Sequence, residues 1–417
     1  MLEQHDAEAC RILRAEAARQ ETTIELIASE NHVSQRVMHG IGTCLTNKYA
    51  EGYPGRRYYG GCRHHDEIEQ LARDRAKELF GCKYANVQPH SGAQANMAVY
   101  MAFLEPGDTF ASLVLKDGGH LSHGMHLNFS GRYFKPVHYP LVYDEAKPDF
   151  EHIDYDAMRA LCLEHRPKMI LCGYSAYPRT IHFEKFRTVA DEIGAIMVAD
   201  IAHIAGLCAT GVHPNPFPHA HVVTTTTHKT LRGPRGGLIM TNDLELHKKM
   251  NTTVFPGTQG GPLMHAIGAK AIAFGEALKP EYKTYCRQVV SNAQALVSAL
   301  SEYGYRLCSG GTDNHLMLVD LSARDADLTG KDAEAWLESA GIITNKNGIP
   351  KDTRPPMVTS GLRLGTPAVT TRGLREEHMP QIAAWIDRVL GSGGDEGECA
   401  AVRGEVREFC EGYPLEH

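Results

Sequence analysis

The chain has 417 residues, 42% of them hydrophobic and 22% charged, with 43 basic against 50 acidic side chains and a net charge of −7. At about 150 residues per domain this allows two or three domains with a sizeable core, and no stretch approaches the roughly 18 apolar residues that a membrane span needs. The slight acidic excess and the lack of a run of like charges exclude an electrostatically driven nucleic-acid binder. Eleven cysteines, an odd number scattered from Cys10 to Cys410 without a C-x-x-C pair, read as free thiols of a reducing, cytoplasmic compartment. A disulfide framework or a thiolate zinc site would need paired spacings. Met1 to Gln20 carries no apolar h-region, so neither a secretory signal nor an anchor is expected. Leu415-Glu416-His417 is given no functional weight.

From the N-terminus, residues 6–20 place Ala9, Ile12, Leu13 and Ala17 at helical spacing and lead into Ile24 to Ala28, which predicts an arm packed on another surface. The glycine- and tyrosine-rich stretch Gly52 to Gly61 predicts an ordered loop without regular structure. A helix follows over 66–80, with Ile68, Leu71, Ala72 and Leu79 on one face and Gly81 as its stop. Short apolar runs then alternate with helical segments: Met169 to Cys172, Ala195 to Ala199, Val222 to Thr226 and Gly237 to Met240. Such runs are the signature of strands buried on both faces, so the fold class is α/β, a three-layer sandwich around a mostly parallel sheet. The gap between the last two runs is too short for a helical crossover, which predicts an antiparallel member there. From Lys279-Pro280 a long helix to Leu300, a strand over 315–321, a helix over 330–340 and a closing helix over 376–390 predict a smaller C-terminal α+β domain. The expected divisions are an arm over 1–50, a large domain over 51–278 and a small domain over 279–417.

Chemistry concentrates at the ends of the apolar runs. Lys229 ends one of them, after Thr224 to Thr227 and His228 and before a glycine-rich turn. Burial there lowers a lysine's pKa and suits it to Schiff-base chemistry; a lysine salt-bridged at a strand end is the alternative. Asp200 ends another run, at the edge where open α/β sheets bind ligands. It could hold a pyridine nitrogen protonated, as pyridoxal phosphate requires, or cap the segment that follows. Ser91, Gly92 and Ala93 stand at a loop-to-helix junction fit for a phosphate, though Ser-Gly is also a common cap. His120, His123 and His126 are spaced three apart. Without an acidic partner at ligand spacing no metal is assigned to them, and a histidine lying flat on an aromatic cofactor fits better.

Six motifs in order make the chain resemble the serine hydroxymethyltransferase family from about Ile24 to Leu390. They are Glu25-Leu-Ile-Ala-Ser-Glu-Asn31, Thr46-Asn-Lys-Tyr-Ala-Glu-Gly-Tyr-Pro-Gly55, Arg57-Tyr-Tyr-Gly-Gly61, Asp200-Ile-Ala-His203, Thr224 to Lys229, and Gly361-Leu-Arg-Leu-Gly-Thr-Pro367. The resemblance implies the fold type of aspartate aminotransferase and pyridoxal phosphate held covalently by Lys229. It places Asp200 on the ring nitrogen, His120 on the ring face, His203 and Ser175 near the phenolic oxygen, and Ser91, Gly92 and Ala93 at the phosphate, with His228 among the cofactor-binding residues. Arg363 with Ser29 would clamp the substrate carboxylate, and Thr226 joins the catalytic set. Tyr49, Glu51, Tyr58, Tyr59, Gly260 and Gly261 would reach the neighbouring subunit's site in a homodimer or tetramer, with Glu51 handling a proton.

Tetrahydrofolate would meet Leu115, Gly119, His120, Leu121, Asn347, Pro355, Pro356 and Met357. Here the chain departs from the family pattern, since Pro355-Pro356-Met357 stands where Ser-Pro-Phe is usual, removing a hydroxyl and an aromatic face. The arm also departs around Gln35 to His39. The implied activity is reversible conversion of serine and tetrahydrofolate to glycine and 5,10-methylenetetrahydrofolate. A folate-independent aldolase or hydroxymethyltransferase acting on threonine-like or α-methylated serines would use the same cofactor residues. A regulatory protein without turnover is disfavoured by the intact set Lys229, Asp200, Arg363 and Glu51.

Overall fold

The computed structural model describes residues 5–143 and 151–415, so Glu416 and His417 of the terminal tripeptide lie outside the described residues. Numbering only the strands of the two large sheets, the first sheet contains β1 (Tyr84–Asn86), β2 (Thr109–Leu113), β3 (Lys135–Tyr139), β4 (Met169–Cys172), β5 (Ile196–Asp200), β6 (Val222–Thr226) and β7 (Gly237–Thr241). Their spatial order is β1-β7-β6-β5-β4-β2-β3. Only β7 runs against its neighbours, which bears out the antiparallel strand expected beside β6.

The sheet is apolar on both faces because the strands alternate side to side. Phe110, Met169, Leu171, Val198, Val222 and Ile239 pack toward the helix Gly92–Phe103. Their neighbours Ala111, Ile170, Cys172, Met197, Ala199, Val223 and Met240 join a second core with Phe183, Phe186, Ile267 and Phe274 of helices on the opposite face. Three layers result.

The second sheet, ordered β8-β9-β11-β10, is built from β8 (Arg306–Leu307), β9 (Leu316–Asp320), β10 (Asn345–Asn347) and β11 (Gly361–Gly365), all antiparallel. Its core takes Met317, Val319, Leu362 and Leu364 from the strands and Leu337, Ile382, Ile386 and Val402 from helices. The helix Pro280–Glu302 serves both bodies, since Tyr282 and Cys286 sit in the core of the first and Leu296 and Leu300 in the core of the second.

Two elements differ from the sequence reading, and between them the arm packs on another surface as expected. Gly52–Tyr53 and Arg56–Arg57 pair as a small antiparallel hairpin within the stretch expected to be irregular. Arg57 holds it by donating to the Ala50 and Gly52 carbonyls at 2.8 and 2.9 Å and to Asp66 and Glu69 at 2.8 and 2.7 Å. Ile24 and Leu26 of the arm lie in the second core, and Ile24–Glu25 pairs in parallel with Ile342–Ile343. The helix over 379–391 does not close the fold: Glu396–Glu411 follows, burying Val402, Val406 and Cys410. It packs on the arm helix Ala7–Thr22, and Arg372 ties the two by donating to the Gln20, Glu21 and Tyr413 carbonyls. Among the described residues no helix is long and apolar enough to cross a membrane.

Candidate active site

The carboxyl ends of β4, β5 and β6 and the amino end of the helix Gly92–Phe103 converge on one crevice, the position where open α/β sheets bind ligands. Asp200, the last residue of β5, is 8% exposed and points the same way as Val198, toward that helix. Its Oδ2 accepts from Asn96 Nδ2 at 2.8 Å and lies 3.1 Å from His123 Nε2, while Oδ1 accepts from the Ala202 N–H at 3.1 Å. Burial opposes its ionisation, yet the His123 ring, nearby His120 and the Asn96 amide outweigh burial and hold the carboxyl well below its usual range. Asn96 is oriented in turn, because its Oδ1 accepts from Thr224 Oγ1 at 2.7 Å and its amide also donates to Ser122. The capping alternative for Asp200 therefore accounts for one oxygen only.

Lys229 lies three residues beyond β6 and is 8% exposed. Among the described residues no hydrogen bond or ion pair engages its ammonium, so the strand-end salt bridge is not formed. Burial, with Arg363 and Arg235 nearby, pulls its pKa down to about 8 against the attraction of Asp200. A share of Lys229 is then neutral near physiological pH, which is what a nucleophilic amine requires. Its carbonyl accepts from Asn31 Nδ2 at 3.0 Å.

The imidazoles around it are also kept neutral. His120 is lowered to about 4 by burial and by His123, and its Nδ1 lies 2.7 Å from Ser122 Oγ. His203 is pushed well below its ordinary value by burial and by Lys229 and Arg363, and its Nδ1 lies 3.3 Å from His315 Nε2 with the two rings stacked. His228 is lowered to about 3 by burial and Arg235, and among the described residues its buried Nδ1 has no partner. Thr226 donates to the Ala202 carbonyl at 3.3 Å. A Cβ at Gly92 would lie 2.6 Å from Thr226 Cγ2, so only glycine lets the helix approach the strand end this closely. Ser91 caps that helix, accepting from the Gln94 N–H at 3.2 Å, and the first N–H groups of any helix have no partner within it.

Arg363 reaches the crevice from the middle of β11. It is 9% exposed and donates to the Ser175 carbonyl at 2.8 Å, to Ser29 Oγ at 3.3 Å and to Asn345 Oδ1 at 3.3 Å. No carboxylate pairs with it among the described residues, and burial pulls its pKa down to about 10. A buried guanidinium held by neutral oxygens is poised for a carboxylate from outside.

The other predicted residues form two neighbouring groups. Tyr49 and Tyr59 meet edge to face at 5.1 Å, and a Cβ at Gly261 would lie 3.0 Å from the Tyr49 ring and one at Gly260 3.1 Å from Glu51 Oε1. Glu51 raises the pKa of Tyr59. Tyr58 packs instead on Phe255 at 5.6 Å. No hydrogen bond, ion pair or ring contact links this group to Lys229 within the described residues of one chain. Leu115 and Leu121 are 40% and 47% exposed and flank Gly119, in a loop secured to the Ser175 and Ala176 N–H groups through the Gly118 carbonyl. Asn347 donates to the Gly348 carbonyl, and a Cβ at Gly348 would lie 3.8 Å from the Lys116 carbonyl, so the Asn347 strand end borders that loop. Pro355 and Pro356 are exposed, and Met357 is 74% exposed.

Sequence reasoning did not single out His315, Asn345 or Asn96 for a role. Asn96 follows Ser91 by five positions and His123 follows His120 by three, but the pairing of each with Asp200 is a tertiary contact. His126 does not join them, and among the described residues no group of three or more His, Cys, Asp or Glu is arranged to hold a metal.

An amine without a counter-ion, a carboxylate held ionised, an orphaned His228 nitrogen and a helix start cleared by Gly92 fit one ligand: an aldehyde on a protonatable ring that carries a phosphate. Pyridoxal phosphate is such a molecule, and the α/β fold with this crevice defines a pyridoxal-phosphate-dependent enzyme. Within that class, residues 2–386 match the family model described as Serine hydroxymethyltransferase, and the chain belongs to that family. It is 56% identical over 412 residues to a protein of Alteromonas mediterranea named serine hydroxymethyltransferase, covering 98% of this chain and 97% of the relative. A protein of the same name from Rippkaea orientalis is 56% identical over 415 residues, covering 100% and 96%.

Proposed function

We propose that the chain catalyses the reversible transfer of the serine hydroxymethyl carbon to tetrahydrofolate, leaving glycine. The observation that carries this reading is Lys229, a buried amine with no ion pair among the described residues, close to the ionised Asp200 and to Arg363, a guanidinium held by neutral oxygens without a carboxylate. Pyridoxal phosphate, when bound, supplies an aldehyde that takes up amino groups and a ring that draws electrons from the substrate α-carbon. Lys229 would hold that aldehyde, and its lowered pKa suits it to act as the amine there. Asp200 keeps the ring nitrogen charged, and the neutral His120 lies against the ring without adding a competing cation. Ser91, Gly92, Ala93 and His228 take the phosphate. Ser175 and His203 face the phenolic side, with Thr226 beside the lysine. Arg363 and Ser29 hold the serine carboxylate and so fix which bond at the α-carbon is aligned for cleavage.

Glu51 exchanges a proton with the serine hydroxyl or the folate nitrogen, with Tyr59 and Tyr49 beside it. We infer that these three, together with Gly260 and Gly261, serve the site of a second copy in an isologous homodimer. The exposure of Tyr49 and Tyr59, and the group's lack of contact with Lys229 among the described residues of its own chain, support that reading. Leu115, Gly119, Leu121, Asn347 and the Pro355-Pro356-Met357 loop form the folate face.

The test is glycine formation from serine with and without tetrahydrofolate. The expected result is turnover that depends on folate. Equal turnover without it, or faster cleavage of threonine-like or α-methylated substrates, would assign the folate-independent reaction instead.

A further inference from the structure

Lys270 lies on the helix Met264–Ala277 and is 1% exposed. Its ammonium donates to the carbonyls of Val87, Gly237 and Pro89 at 2.7, 2.8 and 3.1 Å. An ammonium has three hydrogens, so these bonds exhaust it. The carbonyls belong to the chain leading into Ser91 and to the start of β7, and the Gly237 N–H also donates to the Pro89 carbonyl at 2.9 Å. A Cβ at Gly236 would lie 2.4 Å from Lys270 Cε, and one at Gly237 would lie 2.3 Å from the Ser91 carbonyl. Lysine, strand and turn therefore touch through a double glycine that admits no side chain.

The charge is as unusual as the geometry. No carboxylate contacts the ammonium among the described residues. Glu69, on the helix Arg63–Phe80, favours its charge but is itself bound to Arg57 and Gln88. Two more titratable groups face it, His90 in the turn and His228 after β6, and Lys270 lowers the pKa of both. Burial brings Lys270 itself down to about 7. A buried cation without a counter-ion among the described residues is costly, and a dianion seated at the Ser91 turn would offset that cost.

We propose that Lys270 is a positioning residue for the cofactor phosphate: its ammonium fixes the Val87–Ser91 turn against β7 and supplies the buried positive charge that a phosphate ester meets there. The proposal rests on the pyridoxal-phosphate reading. Its test uses full-length apoprotein in a Lys229→Ala background, which removes the other amine with a lowered pKa. Affinities for pyridoxine 5′-phosphate and for unphosphorylated pyridoxine are measured by calorimetry with and without Lys270→Met. The substitution is expected to weaken the phosphate ester at least tenfold and to change pyridoxine less than threefold. Loss of both by the same factor, or of neither, would overturn the proposal, because a purely structural lysine has no preference for the phosphorylated ligand. If Lys270→Met does not fold, proton uptake with Lys270 intact decides. At pH 8 the ester is expected to take up more protons than pyridoxine, by up to about one. Equal uptake overturns the role. Failure of both ligands to bind would remove the cofactor reading, and this proposal with it.

Discussion

Asp200, Lys229, His203 and Arg363, which line the crevice, are each under a tenth exposed, whereas Tyr49, Tyr59, Leu121 and Met357 expose between 45% and 74%. The buried group is held by strand ends and by bonds such as Asn96 to Asp200, so its charges are set before any ligand arrives. The exposed group consists of large side chains, and the proposed function assigns their contacts to a second copy and a second substrate. On that proposal one chain carries finished cofactor chemistry and unfinished substrate surfaces. Substitutions should therefore act sharply in the first region and through association or folate in the second.

The largest effect is expected from Lys229→Ala, which should abolish both turnover and the visible cofactor absorbance while far-UV circular dichroism is retained. An equally coloured variant would mean that the buried amine is not the anchor. Asp200→Asn comes next: cofactor should still bind, but turnover should fall by about a hundredfold or more, the scale of a lost electrostatic or proton-transfer contribution. Near-normal rates would reduce Asp200 to its bond with the Ala202 N–H. Arg363→Ala should raise the KM for serine about ten- to a few-hundred-fold, from roughly 1.5–3 kcal/mol for a charge-assisted pair. Steady-state kinetics showing an unchanged KM would place the carboxylate elsewhere.

The exposed side is tested by mixing Lys229→Ala with Glu51→Ala protein under conditions of subunit exchange. Random pairing should restore roughly a quarter of wild-type activity, since each heterodimer holds one intact site. Zero recovery with exchange confirmed by mass spectrometry would confine Glu51 to its own chain. The smallest effect belongs to Pro355→Ser combined with Met357→Phe, which should tighten tetrahydrofolate binding a few-fold. Titration showing no change would separate that loop from the pterin.

The same division governs what the sequence disclosed. Strands β4 to β7 were legible because both-face burial writes unbroken apolar runs, and Lys229 and Asp200 were legible because they end those runs. His203 and His315 are 112 positions apart, and no local pattern announces that their rings stack. The pairing of Ile24–Glu25 with Ile342–Ile343 spans only two residues, too few for a period to register. The Gly52–Arg57 hairpin was masked by its glycines, since Arg57 rather than strand propensity holds it. The helix Glu396–Glu411 was missed for another reason: its apolar residues are sparse among acids, and it gains order by packing on an arm that begins the chain.

Asn31 joins the arm to the site. Its amide donates to the Lys229 carbonyl and to Tyr285 Oη, and its own oxygen accepts from Thr371 Oγ1, 340 positions later. On a ribosome adding about 5–20 residues per second, Asn31 is made roughly 20–70 seconds before its last partner. The bond that orients Asn31 against the Lys229 backbone consequently forms only after Thr371 has been made. Nascent chains stopped short of Thr371 should therefore hold Asn31, and through it the Lys229 backbone, less firmly than chains that extend beyond it.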